Sequence, residues 1–247
     1  MPEPSIAVIT PVRNGMPYLQ EAVECVLAQQ YAALEMIVVD DGSTDGSGAF
    51  ARSVGSIRVL QTPGIGPAGA RNAGIRASES DLLIFLDQDD LLGPFGLRSA
   101  VEALLRAPDA GFVQGRMQSF TNRRDGTMNI FTRPYRFIHL GSGLWRRTVF
   151  ERVGLFDESL RLAEDQDFFM RCWERDIDRV LVDGVMLYYR RHPGNTTRGL
   201  KGIEFGTLRN YRARIERIRR GEYDPNCPRR VTWWEYYGKG PDIADWE

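Results

Sequence analysis

Five apolar residues in a row, Leu82 to Leu86, stand between Asp81 and the acidic run Asp87-Gln-Asp-Asp90. A run this short, with acid at both ends, reads as a strand buried on both faces of a sheet. Such a strand delivers its last residues to the C-terminal edge of the sheet, where open α/β folds bind ligands. Asp87 and Asp89 then lie one residue apart and repel each other unless a cation shares them. Hard oxygen ligands of this kind suit Mg²⁺ or Mn²⁺, which usually keep company with substrate phosphates. A plainer role stays open, in which Asp89 or Asp90 caps a helix starting near Pro94.

The rest of the first hundred residues repeats the pattern. Ser5–Pro11, Leu34–Asp40 and Ile57–Gln61 read as strands. Between them, Pro17 opens a helix with Leu19, Ala22, Val23, Val26 and Leu27 on one face, and a short helix spans Ser47–Val54. A glycine-rich stretch, Gly64–Gly74, leads into a helix toward Ala77. Strand alternating with helix predicts βαβ units and a mainly parallel central sheet flanked by helices. Beyond Leu105 the alternation loosens. Phe112–Met117 is a predicted strand, 121–134 a polar mobile loop, 146–153 a short helix and Ala163–Trp173 an acid-capped helix. Strands follow at Arg179–Asp183 and Val185–Arg190, then a basic helix over Lys201–Arg220 and an aromatic tail with Trp233, Trp234, Tyr236 and Tyr237. With neither repeat nor linker, residues 1–247 are expected to form one α/β domain.

Composition narrows the function. A net charge of −1 gives no global field for nucleic acid. Cys25, Cys172 and Cys227 are odd in number and far apart, which predicts reduced thiols in the cytoplasm. His139 and His192 are the only histidines, so no zinc-type cluster is spelled out. No signal peptide or membrane-length apolar run is visible. Three strand tips carry polar punctuation, at Thr10–Asn14, Asp40–Asp45 and Asp87–Asp90. In a parallel sheet they share one edge and can converge on one ligand. An aspartate placed there can accept the imide N–H of uracil, a role for Asp41 beside that of an ordinary turn residue. Gly64-Ile-Gly-Pro-Ala-Gly69 also satisfies a dinucleotide-binding fingerprint, with Asp87 near the distance of a ribose-binding acid. An NAD-dependent oxidoreductase is therefore one reading, and a non-catalytic binding protein is another.

Five ordered motifs carry a resemblance: Ile9-Thr-Pro-Val-Arg-Asn14, Val38-Val-Asp-Asp-Gly-Ser-Thr-Asp45, Gly66-Pro-Ala-Gly-Ala-Arg-Asn-Ala-Gly74, Phe85-Leu-Asp-Gln-Asp-Asp90 and Glu164-Asp-Gln-Asp-Phe168. Together with Tyr189-Arg-Arg-His-Pro-Gly-Asn195, they make the chain resemble glycosyltransferase family 2, the inverting nucleotide-sugar enzymes of GT-A, Rossmann-like fold. The resemblance implies a nucleotide-sugar donor (UDP favoured), a divalent metal (Mg or Mn), and a glycan or lipid-linked acceptor in cell-envelope or exported polysaccharide synthesis. It places Thr10, Pro11, Val12, Asn14 and Asp41 at the nucleotide and Asp87 near the ribose and diphosphate, while Arg71, after the glycine-rich turn, either meets the diphosphate or sugar or pairs with an acid at the edge of the core. Asp89 becomes a metal ligand with His192 near it, and Asp165 the general base with Glu164 as fallback. Residues 5–105 would be the nucleotide-sugar half, 106–200 the acceptor half, and 201–247 a basic helix and tail. Without a Gln-x-x-Arg-Trp signature, a single transfer is expected rather than processive synthesis. The basic helix carries Arg209, Arg212, Arg214, Arg217, Arg219 and Arg220, with Leu208, Tyr211, Ile215 and Ile218 at helical spacing. It is expected either to rest on an anionic membrane at its inner face, or to turn its apolar side inward and its arginines to water.

Overall fold

The structure, a computed structural model, describes residues 3–123, 125–195, 200–224 and 231–239, with the backbone alone over 200–206. In chain order, β1 (Ile6–Val12), α1 (Tyr18–Leu27), β2 (Leu34–Asp40), α2 (Ser47–Ser53), β3 (Arg58–Gln61), α3 (Gly66–Ala77) and β4 (Leu82–Phe85) form the expected alternating series. β3, β2, β1 and β4 lie side by side and are parallel throughout, with Val8 opposite both Met36 and Ile84. Because side chains alternate across a strand, Ile6, Val8 and Val12 enter one core while Ala7 and Ile9 enter the other. A strand with a core on each face must be largely apolar, which is why β1 and β4 are nearly continuous apolar runs, whereas the edge strand β3 begins with Arg58 and ends with Gln61.

After β4 come β5 (Leu91–Leu92), α4 (Leu97–Leu105), β6 (Phe112–Asn122), β7 (Met128–Ile130), β8 (Arg136–Phe137), β9 (Gly143–Arg146), α5 (Arg147–Val153), α6 (Glu164–Glu174) and β10 (Arg179–Arg190). They extend the same sheet in the order β4-β9-β6-β10-β5, with antiparallel pairs at β4/β9, β9/β6 and β10/β5. The sheet is therefore mixed, though mostly parallel. Several expectations are corrected here. The 121–134 run is a hairpin, because β6 extends to Asn122 and pairs with β7 across a turn at Gly126. The two strands on either side of Asp183 are one bulged strand, β10. Gly184 sits where a Cβ would lie 2.0 Å from the Phe95 ring, so the glycine marks a close approach rather than a chain reversal. Leu27 is exposed rather than on the buried face of α1.

α7 (Leu200–Arg219), α8 (Trp233–Tyr237) and β11 (Gly238–Lys239) complete the described chain, and β11 pairs with β8. α7 reverses its expected orientation. Arg217 and Arg214 turn inward onto α6, while Leu208 and Ile215 face water, 65% and 48% exposed. The reason is the partner surface: α6 offers the buried carboxylates Asp167 and Glu174, which attract arginine more than leucine. No described helix is long and apolar enough to cross a membrane. Cys25 and Cys172 are free thiols, and Cys227 lies outside the described residues.

Candidate active site

β1, β2 and β4 end on one edge of the sheet, so the loops after them meet. The Gln88 side chain fastens the acidic loop to the loop after β1: its Oε1 accepts from Arg13 N at 2.8 Å and its Nε2 donates to Arg13 O at 3.3 Å. Gly15 makes room for this, since a Cβ there would fall 2.7 Å from Gln88 Oε1. Asn14 adopts a left-handed φ of 54°, and its Oδ1 accepts from Thr44 N at 2.8 Å, closing the loop after β2 onto the loop after β1. The Thr10 and Val12 side chains are buried in the sheet, so contact with a ligand from this stretch falls to Pro11, Arg13, Asn14 and backbone groups.

Asp41 is buried and heavily engaged. Its Oδ1 accepts from Thr62 Oγ1 at 2.5 Å, Gly64 N at 3.1 Å and Ile65 N at 2.8 Å, and its Oδ2 accepts from Gly66 N at 2.8 Å. Burial pushes this carboxyl up, but these donors outweigh it and hold it below the ordinary range. Oδ2 keeps one lone pair for a further donor. The same bonds remove the dinucleotide reading. The N–H groups of Gly64, Ile65 and Gly66, which a pyrophosphate would need, are spent on Asp41.

Arg71, on α3, is buried and reaches in two directions. Its Nη2 lies 2.6 Å from Asp87 Oδ1 and its Nη1 lies 2.5 Å from Glu164 Oε1. One guanidinium thus bridges the acidic loop after β4 and the first turn of α6. Burial raises the Asp87 carboxyl, but Arg71 beside it wins and lowers it below the usual range. Asp165, next to Glu164, is only half-buried; its Oδ1 accepts from Gln166 N at 2.7 Å, and no other partner is found among the described residues. Burial, then the Glu164 charge, pushes its carboxyl up to about 7. Two adjacent acids are thereby divided: one is held by arginine and the other is left able to take a proton.

On the other side of Asp87, His192 brings Nε2 to 2.8 Å from Asp89 Oδ2. His192 Nδ1 accepts from Gly194 N at 3.2 Å, so the ring hydrogen sits on Nε2 and faces the carboxylate. Two adjacent ligands of a small octahedral cation lie about 3 Å apart, so Asp89 and His192 are already spaced to share one in place of that hydrogen. Asp87, Asp90 and His139 also fall within 4.8 Å of one another. That cluster suits a cation less well. Asp90 has no exposed surface, which leaves no room for the waters or phosphate oxygens such ions retain. His139 Nδ1 accepts from Gly141 N at 3.2 Å, so its Nε2 presents a hydrogen toward Asp90 Oδ2, 4.0 Å away.

Arg190 was not singled out by motif reading, yet it sets this loop. Its backbone N donates to Asp90 Oδ1 at 2.8 Å, its Nε to Asp89 O at 2.7 Å, and its Nη2 to Glu21 at 2.8 Å. The guanidinium lies between the rings of Tyr18 and Phe120, at 4.8 and 4.6 Å. Its position two residues before His192 was the available signal: β10 ends by delivering both residues to Asp89.

The comparisons with known proteins agree with this geometry. The uncharacterized glycosyltransferase EpsJ of Bacillus subtilis is 29% identical over 218 residues, covering 78% of this chain and 63% of EpsJ. The crystal structure of S. aureus TarS 1-349 in complex with UDP-GlcNAc has a TM-score of 0.65 at 23% identity, covering 77% of this chain and 60% of that one. The mannosyltransferase PcManGT from Pyrobaculum calidifontis, in complex with GDP-Man and Mn²⁺, has a TM-score of 0.68 at 18% identity, covering 87% and 65%. At these identities the two structures establish the GT-A fold. The chain spans just under two thirds of the length of EpsJ and of two further curated relatives, and less than half of others. Residues 7–156 match the glycosyl transferase family 2 profile, an interval that runs from β1 past α5 and takes in all three strand tips. The chain belongs to glycosyl transferase family 2.

Proposed function

We propose that this chain transfers a single sugar from a nucleoside diphosphate donor, a UDP-sugar in the first instance, to a hydroxyl of a saccharide acceptor, with inversion. The Arg71 bridge carries the reading, because it joins the donor-side acid Asp87 to the turn that bears Asp165. Asp165 is the base that takes the acceptor proton. Glu164, at 2.5 Å from Arg71, is held as its counter-charge and so steers position rather than protons. Asp41 Oδ2 is the acceptor for a nucleobase imide N–H, with Pro11 to Asn14 beside it. Asp89 and His192 would hold a divalent cation, and the oxygen-plus-imidazole donor set accommodates Mn²⁺ as well as Mg²⁺. A cation held there would offset the charge of a departing diphosphate, so the leaving group would need no proton. The UDP-GlcNAc bound to TarS and the GDP-Man and Mn²⁺ bound to PcManGT support this class of donor and metal.

UDP release from UDP-GlcNAc in the presence of Mn²⁺ is the direct test. Release is expected, and should disappear with EDTA and in Asp89→Ala at unchanged melting temperature. Undiminished release in both would remove the metal from the mechanism and Asp89 from the site. GDP-mannose, run beside it, would reassign the base specificity if it alone turns over.

A further inference from the structure

The residues after α7 include an aromatic turn that neither the nucleotide nor the metal accounts for. α8 is locked from both ends. Thr232 and Glu235 form a reciprocal capping box, and the Tyr236 ring is buried with the Arg179 guanidinium 4.3 Å above it. The Tyr237 carbonyl accepts from Ile138 N at 3.0 Å, and β11 then pairs with β8. This anchored turn holds out two rings. Trp234 is 71% exposed, the most open large apolar side chain among the described residues, and its ring centroid lies 6.3 Å from that of Tyr237. Tyr237 stands edge-on to Phe137 at 4.7 Å and meets Gln166 Nε2 with its hydroxyl at 3.5 Å. Gln166 follows Asp165 directly, and its Oε1 accepts from Thr207 Oγ1 of α7 at 3.1 Å, so the amide is fixed at both ends.

We propose that Trp234 and Tyr237 form the acceptor subsite, a stacking platform for a pyranose ring that presents its hydroxyl to Asp165. This rests on the reading of Asp165 as the base. A sugar offers an apolar C–H face for the indole and hydroxyls at its edge for the Gln166 amide and the Tyr237 hydroxyl, which is the usual division of labour in ligand sites. The platform meets the first turn of α6 through Gln166, the residue that follows Asp165. Rigidity favours this use: a side chain held on a capped turn loses little freedom when a ring stacks on it.

Saturation-transfer NMR with methyl β-glucoside, methyl β-galactoside, methyl α-mannoside and methyl β-N-acetylglucosaminide tests the platform without any donor. At least one glycoside is expected to receive saturation from the wild-type protein. Its affinity should fall about tenfold or more in Trp234→Ala and be largely kept in Trp234→Phe. UDP release from UDP-GlcNAc without acceptor, measured on the wild-type protein, checks the donor side separately. Because Trp234 is exposed, Trp234→Ala should melt with the wild-type protein, and a melting curve checks that the variant is folded. Glycoside signals that are absent, or indifferent to Trp234→Ala, overturn the subsite even if UDP release is normal. Absent UDP release in wild type would instead strike the transferase reading, while the glycoside arm still decides the platform.

Discussion

Asp165 and Glu164 are neighbours in the chain with opposite surroundings, and the proposed chemistry rests on that contrast. Glu164 is buried against Arg71, whereas Asp165 keeps partial access to solvent and has its carboxyl pushed up to about 7 by burial and by Glu164. A base must be ionised to act, so the transfer rate should fall with pH below about 7, tenfold per unit, and level off above it. Asp165→Asn keeps the shape and removes the proton site; transfer should drop by roughly 10²–10⁴-fold, and the acid limb should vanish with it. Stability should move the other way. A carboxyl raised in the folded state contributes stability below its unfolded value of about 4 and loses it as pH rises through about 7. Asp165→Asn should therefore melt higher than wild type at pH 8, by ~2–4 °C if about 1 kcal/mol is recovered, and show little gain at pH 5. Normal transfer in Asp165→Asn together with its loss in Glu164→Gln would reverse the assignment.

α6 presents the proposed base, and charge rather than apolar contact holds it to α7. Asp167 lies 2.7 Å from Arg171 and 3.3 Å from Arg217, and Glu174 lies 2.7 Å from Arg217. Glu174 has no exposed side-chain surface, so Glu174→Ala leaves Arg217 buried with only Asp167 for company. Breaking such a pair from one side costs about 3 kcal/mol, or ~6–12 °C in melting temperature for a chain of this size. A loss under about 1 kcal/mol in urea would mean that α7 relaxes and takes Arg217 to water. This contact also shows where sequence stops informing structure. β1, β2 and β4 were readable because strands covered on both faces must be apolar throughout. β9 was not, because Gly143-Leu-Trp-Arg146 is four residues long and antiparallel between β4 and β6, placed there by pairing that no local pattern encodes. The inward face of α7 was misread for a related reason: helical spacing locates a stripe, but only the neighbour decides whether the apolar or the basic stripe is buried.

At the scale of the molecule, the site is a meeting of distant segments. Its types were legible, since acids at strand tips and at a helix start are visible as motifs, and Arg71 was marked as a partner for either a phosphate or an acid. The use of one arginine for Asp87 and Glu164 together, and of Arg190 as the clamp on Asp89 and Asp90, depends on separations of about a hundred residues that spacing does not encode. The same distribution of charge bears on membrane contact. Arg214 and Arg217 are drawn onto α6, and Arg212 and Arg220 face Glu216 and Glu222 on the outer side, so the described surface of α7 is far less cationic than its sequence. Each uncompensated basic residue near an anionic surface gives on the order of 1 kcal/mol. Leu208 and Ile215, already part-covered, would add roughly 1–2 kcal/mol each on insertion. That sum does not exceed the several kcal/mol lost on immobilising a protein. The protein is therefore expected to remain at the bottom of a flotation gradient with vesicles rich in anionic phospholipid, at low salt as well as high. Flotation at low salt that is lost at high salt, and lost again in Arg212→Glu, would show that the outward face of α7 does bind lipid, and would favour a lipid-linked acceptor over a soluble one.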